Sequence, residues 1–164
     1  TEDCMPEGNI WRSIFDTSFI GPLNLIKQCL PALEGADRSK VVLISGISSA
    51  QVLSHYATSN VLRTMWLGQM KTLAAVYGPK NIHFNTLSLG GVMTGKYRAK
   101  MDKKAESNGR SFEKQMEVEV GNIPLRKYAS TEDVSKAIHG LLEEFSDHFS
   151  GMNFLCDGGF TRAY

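Results

Sequence analysis

Val41-Val42-Leu43-Ile44-Ser45-Gly46 runs four apolar residues, three of them β-branched, straight into a serine and a glycine. An unbroken apolar run of this length, closed by turn residues, is the pattern of a strand buried on both faces. The same pattern recurs downstream. Ile82-His83-Phe84-Asn85-Thr86-Leu87 ends at Ser88 and the Gly90-Gly91 pair, and Met152-Asn153-Phe154-Leu155-Cys156 sits between Gly151 and Asp157-Gly158-Gly159. Between these runs the apolar spacing changes to three and four. Trp11, Ile14, Phe15, Phe19, Leu23, Ile26 and Leu30 predict a helix over 10–30 that Pro31 closes or nearly closes. Leu62, Met65, Trp66, Met70, Leu73 and Val76 predict another over 56–77, stopped by Gly78-Pro79. Ser130 and Asp133 have the spacing of a capping box ahead of Val134, Ile138, Leu141, Leu142 and Phe145. Helices alternating with buried strands predict an α/β fold with a parallel sheet. The segment 96–120 is charged, weakly periodic and broken at Asn108-Gly109.

Composition narrows the function classes. The 164 residues suffice for one domain, 1–164, and not comfortably for two. A formal net charge of +1 gives no field to attract nucleic acid or an anionic membrane. No run reaches the ~18 apolar residues of a membrane helix. The polar, acidic start Thr1–Ile10 is unlike a signal peptide, and a chain beginning at Thr1 fits either loss of an initiator Met or a cut from a longer protein. Cys4, Cys29 and Cys156 are too dispersed for a disulfide framework or a metal site, which suggests a reducing, cytoplasmic setting. The four histidines share no metal-ligand spacing.

Several landmarks then stand in a telling order. Trp11 is followed ten residues later by Gly21 and then by Leu30-Pro31. The strand end Val41–Gly46 precedes Tyr56-Ala57-Thr58-Ser59-Asn60. Asn85-Thr86-Leu87-Ser88-Leu89-Gly90-Gly91-Val92-Met93-Thr94 comes next, then Ile123-Pro124-Leu125, Ser150-Gly151 and Asp157-Gly158-Gly159. Taken together, and over nearly the whole chain, these resemble the C-terminal half of the short-chain dehydrogenase/reductase family. The resemblance implies a Rossmann-like, doubly wound parallel sheet. It would be an incomplete one, because only three strands are visible where such sheets have about six, and nothing before Val41 runs like a strand. The family's glycine-rich turn, which presents a helix N-terminus to a pyrophosphate, belongs upstream of Trp11.

The resemblance also assigns roles. In the family a Tyr exchanges a proton with the substrate oxygen while hydride passes to or from NAD or NADP. A Lys four residues later lies on the same helix face; it makes the Tyr more acidic and holds the nicotinamide ribose. A Ser positions the substrate oxygen, and an Asn on the preceding helix sustains a proton-carrying water. Here Tyr56 matches, but Asn60 replaces the Lys; it can hydrogen-bond a ribose and brings no charge. A loss of ~2–3 units of acidity costs roughly two to three decades in rate. Gly46 stands at the usual serine position, leaving Ser45 or Ser48 to substitute, with Ser48 the favoured one. The helix Asn falls at Ser18. Gly90, Gly91, Val92 and Thr94 form the turn that the family lays over the nicotinamide, although Leu89 replaces its usual Pro.

Two expectations follow. One is an NAD(P)-dependent oxidoreductase whose cofactor-binding half is absent from this chain, so that the chain alone binds the cofactor poorly and is not competent. The other is a non-catalytic relative kept as a structural or interaction module. Either is expected to be a homo-oligomer through helices 10–30 and 56–77, or to pair with a chain that supplies the missing strands, because Val61 and Leu67 lie off the core-facing stripe. Rival motifs are weaker. Gly90–Lys96 satisfies Gly-x4-Gly-Lys of a phosphate loop, yet Tyr97 follows where Mg²⁺ needs a hydroxyl ligand. Gly46-Ile47-Ser48-Ser49-Ala50 resembles a nucleophile elbow with no Asp–His pair in convincing order. Lys96, Arg98, Lys100, Lys103 and Lys104 are expected on a solvated helix face.

Overall fold

The computed structural model describes residues 3–162; Thr1 lies outside them. Helices α1 (Gly8–Phe15) and α2 (Gly21–Glu34) are joined by one π-helical turn, Asp16–Ile20. Strand β1 (Ser39–Gly46) leads through a 3-10 turn, Ile47–Ser49, to helix α3 (Ala57–Tyr77). Strand β2 (Ile82–Leu89) is followed by the short β3 (Val92–Met93), helices α4 (Gly95–Ser107) and α5 (Phe112–Glu119), and β4 (Ala129–Ser130). Helix α6 (Thr131–Leu142) and strand β5 (Asn153–Cys156) complete the order.

The α/β expectation holds: β1, β2 and β5 form a parallel sheet in the order β1-β2-β5, with helices packed on it. Alternation along β1 separates the two faces. Val41 and Leu43 join Ile82 and Phe84 of β2 in one core with Phe19, Leu62, Trp66, Met70 and Leu73, and Phe84 is 0% exposed. Lys40, on the opposite phase, runs its ammonium to the Glu143 carbonyl, Ser146 Oγ and Asp147 beyond α6. The polar residues inside the β2 run have partners except Thr86, whose buried Oγ1 finds none among the described residues. The Asn85 side chain donates to the Phe149 carbonyl and accepts from Met152 N–H, and Ser88 Oγ donates to Asn153 Oδ1 at 2.7 Å. Such pairing is what permits polar groups in a buried parallel strand.

The structure adds detail to the sequence reading in three places. The described residues form five strands where three were visible, because β3 and β4 are two-residue pieces paired only with each other and too short to show a period. The first helix runs to Glu34 with Pro31 in its last turn, near the end as expected, since a proline there removes one N–H donor without forbidding the helical φ. That helix also contains the π turn, which spacing alone did not reveal. Its position has a physical reason: the Ser18 carbonyl finds no i+4 donor because residue 22 is proline, and Trp66 Nε1–H supplies the bond at 2.9 Å. The charged segment becomes two helices, with Gly109 at φ +60° making the break. The Ser130–Asp133 capping box forms as read.

Strand β1 is an edge of the sheet. Ile44 at its end is 54% exposed, Val61 on α3 is 53% exposed, and Leu25 on α2 is 66% exposed. Among the described residues no helix is long and apolar enough to cross a membrane, and no group of three His, Cys, Asp or Glu residues could hold a metal.

Candidate functional site

Gly46, Leu89 and Cys156 stand at one level, the carboxyl ends of the three parallel strands. Ligands of open α/β sheets bind at that edge, and a cleft of about 610 Å³ opens there. Its walls are Ser45 and Gly46 of β1 with Ile47 of the following turn, Tyr56 at the start of α3 and Arg63 within it, and Leu89 at the end of β2 with Gly90, Gly91 and Val92 after it. Tyr97, Tyr128, Asp157 and Phe160 close it from the far side.

The β2 wall is set by close packing. A Cβ on Gly90 would lie 2.8 Å from the Asp157 Cα, and one on Gly91 would enter the Tyr128 ring. These glycines therefore let two backbones and an aromatic ring meet. Tyr128 in turn meets Tyr97 edge-on, and Tyr97 Oη donates to Tyr128 Oη at 3.2 Å. Burial, with the Tyr128 hydrogen bond second, raises the Tyr97 pKa well above that of a free tyrosine. Val92 lines the cleft. Thr94 does not: it caps α4, accepting from Tyr97 N–H at 3.1 Å. Because Val92–Met93 pair with β4, this stretch is extended and is not wrapped as a phosphate loop.

The α3 wall is built from polar side chains. Tyr56 is the N-cap residue of α3, 38% exposed, with its ring 4.2 Å from that of His55. Asn60 does not line the cleft. Its Nδ2 donates to the Leu53 carbonyl at 2.9 Å and its Oδ1 accepts from Leu53 N–H at 3.3 Å. The amide thus pairs with both backbone groups of Leu53 like a strand neighbour and ties the loop before Tyr56 to the helix. Ser45 lines the cleft. Ser48 is only 2% exposed in the 3-10 turn, where its Oγ accepts from Arg63 Nη1 at 3.0 Å. Beside it, Ser49 and Ser88 share a buried hydroxyl contact of 2.9 Å. Ser18 borders a separate hollow of about 340 Å³, with Ser45 and Arg63 standing between the two spaces. The predicted set is therefore split. Tyr56, Ser45, Gly90, Gly91 and Val92 converge on the cleft, while Ser48, Asn60, Thr94 and Ser18 are engaged elsewhere.

Arg63 was missed. The only signal was its spacing of seven from Tyr56, two helical turns along one face.

For a nicotinamide cofactor the fit is partial. The cleft has room and a backbone edge, Gly90 to Val92, for the nicotinamide end. Among the described residues only helix precedes β1, so no strand–glycine turn–helix unit is there to receive the phosphates.

Residues 5–161 match the family model described as Enoyl-(Acyl carrier protein) reductase. Over 151 residues the chain is 26% identical to Dehydrogenase/reductase SDR family member 4 of Homo sapiens, covering 92% of this chain and 51% of that protein. L-sorbose reductase from Gluconobacter frateurii, in complex with NADPH and L-sorbose, superposes with a TM-score of 0.90 at 18% identity, covering 100% of this chain and 63% of that one. A short chain oxidoreductase from Pseudomonas aeruginosa PAO1, described as containing an atypical catalytic center, gives 0.88 at 19% identity, covering 97% and 61%. The chain spans about half the length of the curated relatives it matches.

Proposed function

Because this chain belongs to the short-chain dehydrogenase/reductase family, we propose that it forms the substrate-facing half of an NAD(P)-dependent oxidoreductase that interconverts a carbonyl and an alcohol. The observation that carries this reading is the convergence of Tyr56 and Ser45 on one cleft at the carboxyl ends of β1 and β2. Ser45 Oγ hydrogen-bonds the substrate oxygen, and Tyr56 Oη gives that oxygen its proton in reduction and takes it back in oxidation. Gly90, Gly91 and Val92 would hold the nicotinamide, which when bound would supply or accept the hydride. The phosphates of that cofactor need a holder beyond the described residues, and the chain alone is not expected to bind it tightly.

A rate assay of carbonyl reduction, followed by loss of reduced-nicotinamide absorbance, tests the role of Tyr56. Tyr56→Phe should slow turnover by about two decades or more, with unchanged stability because the hydroxyl makes no hydrogen bond within the described residues. Equal rates in the two proteins would remove Tyr56 from the chemistry.

A second reading is favoured by two observations: Gly46 stands where the family has its serine, and Asn60 is spent on Leu53. On that reading the chain is a non-catalytic relative, and no carbonyl is turned over by the folded protein. Both readings share one assembly. The exposed Leu25, Val61 and Ile44 are covered by a second copy along α2 and α3, or along β1 by a chain that supplies strands. Sedimentation should show a dimer or larger species; a stable compact monomer would contradict it.

A further inference from the structure

Gly46 adopts φ −139° and ψ 159°, an extended backbone open to any residue, so its conformation does not call for glycine. Space does. A Cβ at this position would lie 2.5 Å from Arg63 Nη1 and 2.6 Å from Cζ. The guanidinium of Arg63 therefore occupies the volume that a side chain at residue 46 would fill, at the end of β1 and on the wall of the cleft. It is held there by one hydrogen bond, from Nη1 to Ser48 Oγ. Among the described residues no carboxylate pairs with it. The two carboxylates that line the same cleft are already engaged. Glu119 accepts from Lys104 at 2.5 Å and from Gln115 at 2.8 Å, and Asp157 accepts from the backbone N–H groups of Gly159 and Thr161. A guanidinium carries five donors in a rigid fork that matches a carboxylate. Most of that fork remains to be used, beside an apolar surface made by Ile47, Leu53, Leu89 and Phe160.

We infer that Arg63 is an anion-recognising residue of the cleft, selecting small carbonyl compounds that join a carboxylate to an apolar body. This deepens the oxidoreductase reading and rests on it for the word substrate, but the recognition itself can be measured without turnover. The carboxylate takes the free edge of the guanidinium in a two-point contact, the apolar body lies on Ile47 and Leu53, and the ketone is left toward Tyr56.

Phenylpyruvate and its neutral amide serve as the pair of probes, with affinities read by ligand-observed NMR on the full chain and without cofactor. Wild type should bind the acid at least about tenfold more tightly than the amide, as expected of a charge-assisted two-point contact. Arg63→Gln should erase that preference, and Arg63→Lys, which keeps the charge and loses the fork, should reduce it severalfold. Equal affinity for the two probes in wild type, no binding of either, or a preference that survives in both variants would overturn the inference. Turnover of the same pair by the protein in its native assembly, supplied with reduced nicotinamide, separates the two claims. An Arg63-dependent preference without turnover leaves recognition standing and removes the enzyme. Turnover of acid and amide alike, unaffected at Arg63, does the reverse.

Discussion

The two walls of the cleft keep their shape by different means. On the β2 wall, Gly90 and Gly91 are pressed against Asp157 and Tyr128, β3 is paired to β4, and the residues fit only as they stand. On the α3 wall the positions are held by side-chain hydrogen bonds: Asn60 to Leu53, and Arg63 to Ser48. Two departures from the family pattern, Gly46 and Asn60, fall on or beside the second wall together with Arg63, whereas a third, Ser18, borders the separate hollow. A wall fixed by packing tolerates little change, whereas one fixed by polar side chains can exchange its groups and still close. The α3 wall is accordingly where the proposed specificity, and any loss of the proposed chemistry, would reside.

The comparison breaks first at Gly91. Gly91→Ala places a methyl inside the Tyr128 ring and should cost about 3 kcal/mol, as overpacking does, read as a lower urea midpoint with an unchanged slope. A neutral result would mean that Tyr128 swings away freely and that the β2 wall is as adaptable as the other. Asn60 tests the α3 wall. Asn60→Ala removes two bonds to the backbone of Leu53 and should cost about 1–3 kcal/mol, with NMR shifts concentrated at Leu53 and Tyr56. The same geometry alters the expectation for Asn60→Lys. The substitution restores the family's residue, but it releases the Leu53 loop, so stability should fall even if proton transfer improves. Stability unchanged in both variants would show that the amide pairing contributes nothing.

How much of this was legible follows from what each feature depends on. The helices and the three buried strands were readable because their apolar periods are local. The capping box was readable for the same reason. Tyr56 and the paired glycines were visible as a family pattern. What those glycines meet was not, because Asp157 and Tyr128 come from distant parts of the chain. Asn60 read as a replaced catalytic group, since nothing local says that its amide reaches back seven residues to Leu53. Arg63 and Gly46 form a pair only in three dimensions, with a cation filling the place of an absent side chain. The π turn at Ser18 needed both Pro22 and the indole of Trp66.

A smaller effect sharpens the packed wall at its far edge. Burial alone would raise the pKa of Asp157, but hydrogen bonds from Thr161 and from the backbone of Gly159 and Phe160 outweigh it and hold the carboxyl below its ordinary value. With the folded value below the unfolded one (~3.9), the contribution of Asp157 is whole above the unfolded value and is lost as pH falls through the folded one. Stability should therefore decline on that acid limb, and Asp157→Asn should flatten it. An unaltered acid limb in Asp157→Asn would mean that the turn beside Gly90 does not depend on the charge.

The hydride itself offers the most direct test of the oxidoreductase reading. Reduced nicotinamide carrying deuterium at its reactive ring carbon is incubated with the protein in its native assembly and a carboxylate-bearing aryl ketone, and the alcohol is analysed by mass spectrometry and NMR. The proposed chemistry predicts one deuterium on the carbinol carbon, formed at a rate that Tyr56→Phe lowers by about two decades. A folded protein that binds the ketone and transfers no deuterium would contradict it and leave the non-catalytic reading in its place.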